Sequence, residues 1–590
     1  MDISTIYFIL VPIIVSLVLF FLPEKTKRVN QFIFAAVTAF NLVAVCAIFG
    51  KIIFSTFNWA SFDFIYSIDI KTDKELLLLI IAVFAFLSSI FAIGNLKDNP
   101  KEKLFNAAMI LALGFANGAI ISSNLIFMLA FIEALAIPFV IMILASPNDN
   151  KKLALKSFAI TAVADLFLMF GIGIVYFISK SMNIFDISIN MSSGLANVAF
   201  VCFAVGAAGK LGVMPFHSWM PEAAEKTPVP FLVFMATAVE KVLGVYILLV
   251  AVTIFNIKPG LQISSILIAV VAFGAVLAAL LANSQKSFKK MLIYTSVSQG
   301  SLMMAAILTA FPVAVAGAIL HLIAHTVYKS SLFYASAITD NIKSSYLSIK
   351  QNIYVFLPFV FAVASFIGVP FFAAFYSKEL IYSGAFTNGE YIWLAAFILI
   401  TFFCSSAVLN WFGKIFLGNG GETQKEESGA FIMLPLIVAG FLALLLGLFN
   451  NIPLNIINVF LPFEQEHHGI LLLVISLAML LIVLLNFAQG LRSKSKDGLG
   501  FISNILSFLW INKLNESSSA DPFNVAIKVY GAFAAASFDF DKTINKAYDV
   551  VIVQAAVKSS DLIKKVHNGD LSRYILWTLV GIAALILLFI

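Results

Sequence analysis

The sequence has few charges and few cysteines, and it lacks common cofactor motifs. Only 12% of its 590 residues are charged, whereas a soluble domain has about 25%. Cys46, Cys202 and Cys404 lie far apart within apolar runs, so they offer neither an iron–sulfur ligand set nor a disulfide framework. GxGxxG, Walker and HExxH motifs are also missing. We therefore expect no cofactor in this chain, and its energy must come from a gradient or from partner subunits.

What the sequence has in abundance is apolar surface. Its mean hydropathy is +1.01 and 61% of its residues are hydrophobic. Stretches of about 20 apolar residues are long enough to span a bilayer as helices. The first run lacks a basic leading region and a cleavage site, so we interpret it as a retained span. The sequence predicts sixteen spans, near residues 3–22, 31–53, 75–96, 103–121, 124–145, 155–179, 195–220, 229–255, 262–283, 290–311, 312–337, 351–377, 390–417, 430–450, 468–488 and 571–590.

Basic residues alternate from one connection to the next. Up to residue 496, twenty Lys and Arg residues fall in the first, third and later odd connections, against five in the even ones. Short cytoplasmic loops carry this excess of positive charge. The pattern predicts a multi-pass protein of the cell inner membrane with both termini on the extracytoplasmic side.

Ionisable residues interrupt the apolar runs. A charge at bilayer depth costs about 2.5–3.5 kcal/mol on insertion scales, and such residues usually mark an ion or proton path. Their number makes a purely structural role hard to sustain. The candidates are Glu133, Asp165, Lys210, Lys241, His321, His325, Lys329 and Lys378, with Glu379 beside the last.

Two runs contain helix breakers next to a lysine. Pro215 follows Lys210 by five residues, and Gly368 and Pro370 precede Lys378. Proline removes a backbone hydrogen bond, and freed backbone groups at membrane depth are tolerated only where they line protein or water. Interrupted helices at matching positions of two halves are typical of transporters with inverted repeats. Ordinary proline kinks with snorkelling lysines are the alternative.

Five segments of the chain resemble the antiporter-like subunits shared by respiratory complex I, Mrp-type cation/proton antiporters and energy-converting membrane-bound hydrogenases, and they occur in the same order as in those subunits. The resemblance implies an all-α polytopic membrane protein of about sixteen transmembrane helices. It also implies two inverted five-helix repeats with broken helices. The segments are 124–133, 210–230, 285–299, 321–333 and 376–379.

The resemblance also implies roles. Glu133 and Lys210 would form an ion pair that acts as a proton switch, or else a static pair. Lys241 would relay protons between half-channels, and Lys378 would be the terminal exchange group, modulated by Glu379.

His321, His325 and Lys329 follow each other at four-residue steps, so they share one helical stripe. Histidine exchanges protons near neutral pH, which suits a relay. The HxxxH spacing also suits a metal, and plain core histidines are a further alternative.

Some positions depart from the complex I pattern. Asp165 matches an acidic family position, but the arginine expected three residues earlier is Ala162. Ile132 replaces a tryptophan common in the family. Residues 234–236 occupy the region where Mrp-like members usually have a histidine, and none occurs there. These differences favour a divergent member such as a hydrogenase-complex subunit.

Beyond the fifteenth span, Asp521 and Pro522 begin a long amphipathic segment. It resembles the lateral helix of the long family members, which contacts neighbouring subunits, although an independent surface helix is the alternative. We divide the chain into N-terminal helices, first repeat, second repeat, additional helices with a linker, lateral helix and anchor, at residues 1–102, 103–255, 256–417, 418–520, 521–569 and 570–590.

The sequence thus predicts a proton-translocating or Na⁺/H⁺-translocating subunit of a redox-driven membrane complex. Iron–sulfur clusters and a NiFe centre or flavin are expected only in partner subunits, and nucleic acid is not an expected partner. An Mrp-type antiporter subunit is the main alternative. A membrane partner in inorganic-carbon uptake is another.

Overall fold

The structure is a computed structural model that describes residues 7–23, 27–59, 64–147, 150–339, 347–349, 352–417, 429–463 and 469–492, with single residues between 554 and 580. The chain divides into two units, Met1–Ser517 and Ser518–Ile590. In the second unit the described residues are helical and include an exposed ion pair between Lys564 and Asp561. The predicted lateral helix and the sixteenth span lie outside the described residues.

The first unit begins with three helices and a hairpin. The strands pair antiparallel, with Ile53 opposite Ile70 and Trp59 opposite Phe64. This hairpin was not predicted from the sequence, although both strands are rich in the aromatic and β-branched residues that favour strands. The elements are α1 (Tyr7–Phe21), α2 (Lys27–Ile48), β1 (Ile53–Trp59), β2 (Phe64–Ile70) and α3 (Thr72–Asn95).

The first predicted repeat follows. Its elements are α4 (Glu102–Ile121), α5 (Leu125–Ala134), α6 (Ala136–Leu144), α7 (Lys151–Ser179), a 3₁₀ turn (Ile184–Asp186), α8 (Gly194–Leu211), α9 (Met220–Lys226), α10 (Val229–Phe231), a π-helix (Leu232–Val239) and α11 (Glu240–Ile254). α5 and α6 together form one span that is interrupted at Leu135. Pro138 explains the interruption, because its ring clashes with the carbonyl four residues earlier.

The second predicted repeat and three further helices complete the described part of this unit. Its elements are α12 (Gln262–Asn283), α13 (Phe288–Leu308), α14 (Pro312–Thr339), α15 (Ile353–Ile367), α16 (Ala373–Thr387), α17 (Tyr391–Phe416), α18 (Ala430–Leu448), α19 (Asn451–Phe460) and α20 (Gly469–Arg492). Thirteen spans in the described part are long and apolar enough to cross a membrane, and three shorter apolar helices accompany them. Each of the first fifteen predicted spans overlaps one of these helices, whereas α19 lies between two predicted spans. The polytopic helical fold is therefore confirmed.

Both predicted helix breaks are present. α8 ends at Leu211 and is followed by Gly212 at φ +64°, and α15 ends before Gly368 at φ +85°. Glycine adopts this left-handed conformation at little cost, which lets the chain turn out of the helix. The broken helix is the fourth span of each predicted repeat, and such corresponding positions are typical of inverted-repeat transporters.

Several basic connections meet at one end of the bundle. Lys27 donates to the carbonyl of Lys97 and pairs with Glu102, so the α1–α2 and α3–α4 connections touch. Lys101 donates to the Leu144 carbonyl, and Asn150 joins the next connection to Lys226. The charge alternation of the sequence therefore corresponds to a physical clustering of these loops.

Candidate functional site

The candidate residues concentrate on the innermost helices. The α10–α11 span, α13 and α14 are each more than nine-tenths buried, which makes them the centre of the bundle. α11 carries Lys241, and α14 carries His321, His325 and Lys329. All four of these side chains are fully buried.

Lys210, on α8, forms an ion pair with Asp165 of α7. Lys210 Nζ lies 2.8 Å from Asp165 Oδ2, and the two side chains are 4% and 2% exposed. This corrects the expected pairing of Lys210 with Glu133. It also supplies the partner that Ala162 could not provide for Asp165. The second oxygen of Asp165 has no hydrogen-bond partner among the described residues.

Glu133 interacts electrostatically with Asp165 and Lys210, but its side chain is exposed on α5. Asp165 is buried and forms the ion pair with Lys210. Glu133 therefore remains a candidate for exchange with the surroundings of α5, and not a member of the buried pair.

Lys241 Nζ donates to the backbone carbonyl of Leu211, the last residue of α8. A side-chain carbon at Gly300 of α13 would lie 2.8 Å from Lys241 Nζ and 2.9 Å from that carbonyl. Glycine at 300 is therefore what leaves room for the ammonium group beside the helix break.

The second break has a matching arrangement. Lys378 Nζ donates to the carbonyl of Phe366, near the end of α15. In both halves, then, a buried lysine binds the carbonyl end of the helix that precedes the break. Helix C-terminal carbonyls carry partial negative charge and favour cations, as in the ion sites of broken-helix transporters.

The two histidines of α14 bind polar side chains from neighbouring helices. Hydrogen bonds of 2.9 Å join His321 Nδ1 to Ser377 Oγ and His321 Nε2 to Gln299 Oε1. His325 Nε2 lies 3.1 Å from Ser296 Oγ. The two imidazole rings are 6.4 Å apart, so the predicted stripe is a physical neighbourhood.

Lys329 donates to the Leu292 carbonyl at 2.7 Å and to the Thr295 hydroxyl. Its Nζ lies 5.0 Å from the centre of the Phe366 ring, and Lys378 Nζ lies 5.6 Å from the same ring. A cation is attracted to an aromatic face at such distances. Phe366, which the sequence analysis did not single out, is thus shared by both lysines. Glu379 is half-buried on α16, next to Lys378.

These groups are electrostatically connected across the two halves. The charge of Lys241 acts on both His325 and Lys329, and that of Lys378 acts on His321. The line therefore runs from Asp165 and Lys210 at the first break, through α11 and α14, to Lys378 at the second.

Hydroxyl groups without a hydrogen-bond partner among the described residues surround the second half of this line. They belong to Tyr328, Ser330, Ser365, Ser405 and Ser406. Buried polar groups of native proteins are normally satisfied, by protein or by water. These unpartnered hydroxyl groups therefore favour a hydrated path over a dry core.

Glu240 is a further buried charged group that the candidate set omitted, and it lies next to the candidate line. It precedes Lys241, and it is only 4% exposed. The sequence did carry a signal, a carboxylate inside an apolar run.

Metal ligation has no support in the part of the chain that the structure describes. No group of three or more His, Cys, Asp or Glu side chains is arranged there to hold an ion. Both nitrogens of His321 are taken by Ser377 and Gln299.

The broken helices and their buried lysines define an antiporter-like membrane protein. Residues 122–404, from the end of α4 into α17, match the family described as NADH:quinone oxidoreductase/Mrp antiporter, transmembrane. The match includes every candidate residue named above.

Relatives come from both branches of that family. The chain is 25% identical over 419 residues to the N subunit of NADH-quinone oxidoreductase from Desulforudis audaxviator, covering 66% of this chain and 83% of the relative. It is 25% identical over 407 residues to the D subunit of the Na(+)/H(+) antiporter from Alkalihalophilus pseudofirmus, covering 66% and 81%. The L subunit of NADH-quinone oxidoreductase from Campylobacter jejuni is 28% identical, covering 57% of each chain.

Solved structures share the fold. The Mrp complex of Dietzia matches with a TM-score of 0.69 at 17% identity, covering 78% of this chain and 96% of that one. An archaeal membrane-bound sulfane sulfur reductase matches with 0.66 at 21% identity, covering 77% and 96%. Respiratory complex I of Thermus thermophilus matches with 0.66 at 18%, covering 77% and 98%.

Proposed function

We propose that this chain translocates protons, or exchanges them for Na⁺, within a larger redox-driven membrane complex. The observation that carries the proposal is the line of buried ionisable groups from Asp165 and Lys210, through Lys241 and the α14 stripe, to Lys378. Such groups are expensive at membrane depth and are kept there for ion movement. In this chain they lie on the innermost helices and at both helix breaks.

The contacts suit proton transfer in steps. Lysine binds a proton firmly beside a carboxylate and releases it more readily when that partner moves away, because burial alone favours the neutral amine. Lys210 has such a partner in Asp165, whereas Lys241, Lys329 and Lys378 are held by neutral carbonyls. A proton that leaves the pair would meet bases that can accept it.

The complex is proposed to contain the redox chemistry in other subunits. The similar proteins are named as subunits of NADH-quinone oxidoreductase, of an Mrp complex and of a sulfane sulfur reductase complex. Iron–sulfur clusters and a NiFe centre or flavin would belong to such partners. The 521–569 segment would contact neighbouring membrane subunits, and the clustered basic connections would face the cytoplasm, leaving both termini outside.

An Mrp-type antiporter subunit is the second candidate. The relative from Alkalihalophilus pseudofirmus is named as the D subunit of a Na(+)/H(+) antiporter, and the Mrp structure shares the fold. In that case the driving ion would be exchanged without a redox partner.

One experiment tests the proposal and separates these candidates. The complex is purified through a tag on this chain, its subunits are identified by mass spectrometry, and it is reconstituted in vesicles with pH-sensitive and Na⁺-sensitive dyes. Redox subunits and electron-driven acidification support the first candidate, whereas Na⁺-driven proton movement without redox subunits supports the second. Normal ion movement by the Lys210→Ala complex, matched to an exposed Lys258→Ala control, would overturn both.

A further inference from the structure

Glu240 is a buried carboxylate whose side chain makes no hydrogen bond or ion pair with the described residues. It is 4% exposed, and its Oε2 is among the buried atoms without a partner there. Removing a lone carboxylate from water costs several kcal/mol even after the protein relaxes, roughly as much as a strongly destabilising mutation. The burial of this carboxylate therefore calls for a functional explanation.

The position of Glu240 suggests such an explanation. Glu240 lies within electrostatic range of Lys210, Asp165 and Lys241. Lys210 is bound to Asp165, and Lys241 is bound to the carbonyl of Leu211, the residue after Lys210. Glu240 is therefore near both the paired lysine of α8 and the next lysine along the line.

The local backbone is shaped to place it there. The π-helix Leu232–Val239 ends directly before Glu240, and the Thr237 hydroxyl donates to the Leu232 carbonyl five residues earlier at 2.9 Å. Such π segments are rare and often occur at functional sites. Because each residue of an α-helix turns about 100° around its axis, the irregular segment resets the direction in which Glu240 and Lys241 point.

We propose that Glu240 is a further proton-binding residue, which carries protons between the Lys210–Asp165 pair and Lys241. The inference rests on the proposed function. In the first step the Lys210 ammonium gives a proton to the Glu240 carboxylate, which leaves a neutral amine and a carboxylic acid. In the second step that acid gives the proton to the neutral amine of Lys241, which restores the carboxylate and forms an ammonium. No other reactant is needed.

The test uses the intact complex reconstituted in vesicles, with proton movement followed by a pH-sensitive dye. Glu240→Gln keeps the size of the side chain but cannot carry a proton, so we expect transport to fall at least about tenfold. Glu240→Asp keeps the acid and should retain a larger share of the rate. Glu225→Gln is the matched control, because Glu225 is half exposed and pairs with Lys290 at the loop end of the bundle. It should transport as the unmodified complex does.

A second readout excludes a merely structural role. pH-induced infrared difference spectra should show a carboxylic acid C=O band that disappears in Glu240→Gln and shifts in Glu240→Asp. If Glu240→Gln does not assemble, the shift in Glu240→Asp decides the question, and an unshifted band overturns the proposal.

Lys210→Ala separates this inference from the function on which it rests. If Lys210→Ala blocks transport while Glu240→Gln stays within twofold of the unmodified complex, Glu240 is not on the path and the proposed function stands. If Lys210→Ala transports normally, the proposed function itself fails.

Discussion

Lys210 Nζ lies 2.8 Å from Asp165 Oδ2, and this pair, buried between α7 and α8, occupies the first helix break. The pair joins α7, which is exposed on one side, to α8, which ends before Gly212. The family resemblance had placed Glu133 in that role. The structure instead gives Lys210 a buried partner inside the bundle and leaves Glu133 at its outer surface.

The first prediction concerns the energy of this pair. Asp165→Ala would leave the Lys210 charge buried without its partner, so we expect the free energy of unfolding to fall by about 3–5 kcal/mol. The double variant Lys210→Met with Asp165→Leu should recover most of that loss, because no charge remains, yet it should not translocate ions. Thermal unfolding of the solubilised complex measures the first effect and vesicle acidification the second. A double variant no more stable than Asp165→Ala would show that the two residues are not coupled.

The second prediction concerns Glu133. Since it is exposed and outside the buried pair, Glu133→Gln should change the free energy of unfolding by no more than about 0.5 kcal/mol. Coupled translocation should nevertheless be lost, because a glutamine cannot exchange protons there. Vesicle acidification and thermal unfolding on the same preparation measure both effects. Normal acidification by this variant would remove Glu133 from the path.

The α14 stripe gives the third prediction. His325→Ala and Lys329→Ala should each slow proton movement at least about tenfold, because each removes a base from the continuous line. The control is Lys258→Ala, an exposed lysine on a connection. Initial rates of acidification in vesicles provide the comparison. Equal and negligible effects in all three variants would mean that the stripe is only core.

The fourth prediction is a pH dependence at the hairpin. Burial raises the pKa of the Asp69 carboxyl, and the nearby Lys74 and Lys71 oppose that rise. A carboxyl whose pKa is higher in the folded state binds its proton more tightly there. Its contribution therefore favours folding at low pH and is lost as the pH rises from the ordinary value through the raised one.

Asp69→Asn should abolish this loss. Amide hydrogen exchange of β1 and β2, corrected for intrinsic rates and measured from about pH 4 to 7, should become flatter in the variant than in the unmodified protein. Asp186→Asn, an exposed aspartate, is the control. The idea fails if the corrected profiles of the Asp69 variant and the unmodified protein coincide.

The fifth prediction concerns the C-terminal segment. Truncation before Asp521 should leave the first fifteen spans inserted, because the backbone hydrogen bonds of each helix are satisfied within it. The truncated chain should separate from its partner subunits and lose coupled transport. Co-purification through a tag, followed by vesicle acidification, provides the measurement. Full recovery of partners together with a normal gradient would show that the segment does not clamp the complex.

The sequence by itself determined the class of fold and identified most of the candidate residues. Apolar length sets where helices cross a membrane, and Pro215 and Pro370, each close behind a glycine, mark the breaks because proline removes a backbone hydrogen bond of a helix. A lysine or histidine inside an apolar run is energetically unfavourable at membrane depth, so it indicates a functional residue. The spacing of His321, His325 and Lys329 alone places them on one helical stripe.

Only the tertiary structure decided which of these groups meet. Asp165 and Glu133 are both carboxylates in apolar runs, and no local pattern tells which one packs against Lys210. The contact of Lys241 with the Leu211 carbonyl depends on the space at Gly300, which lies 59 residues further along the chain. The sharing of Phe366 by Lys329 and Lys378, and the proximity of Glu240 to Lys210, likewise depend on how separate helices pack. Periodicity and composition describe each helix by itself, whereas partners are chosen by packing between helices that are distant in sequence.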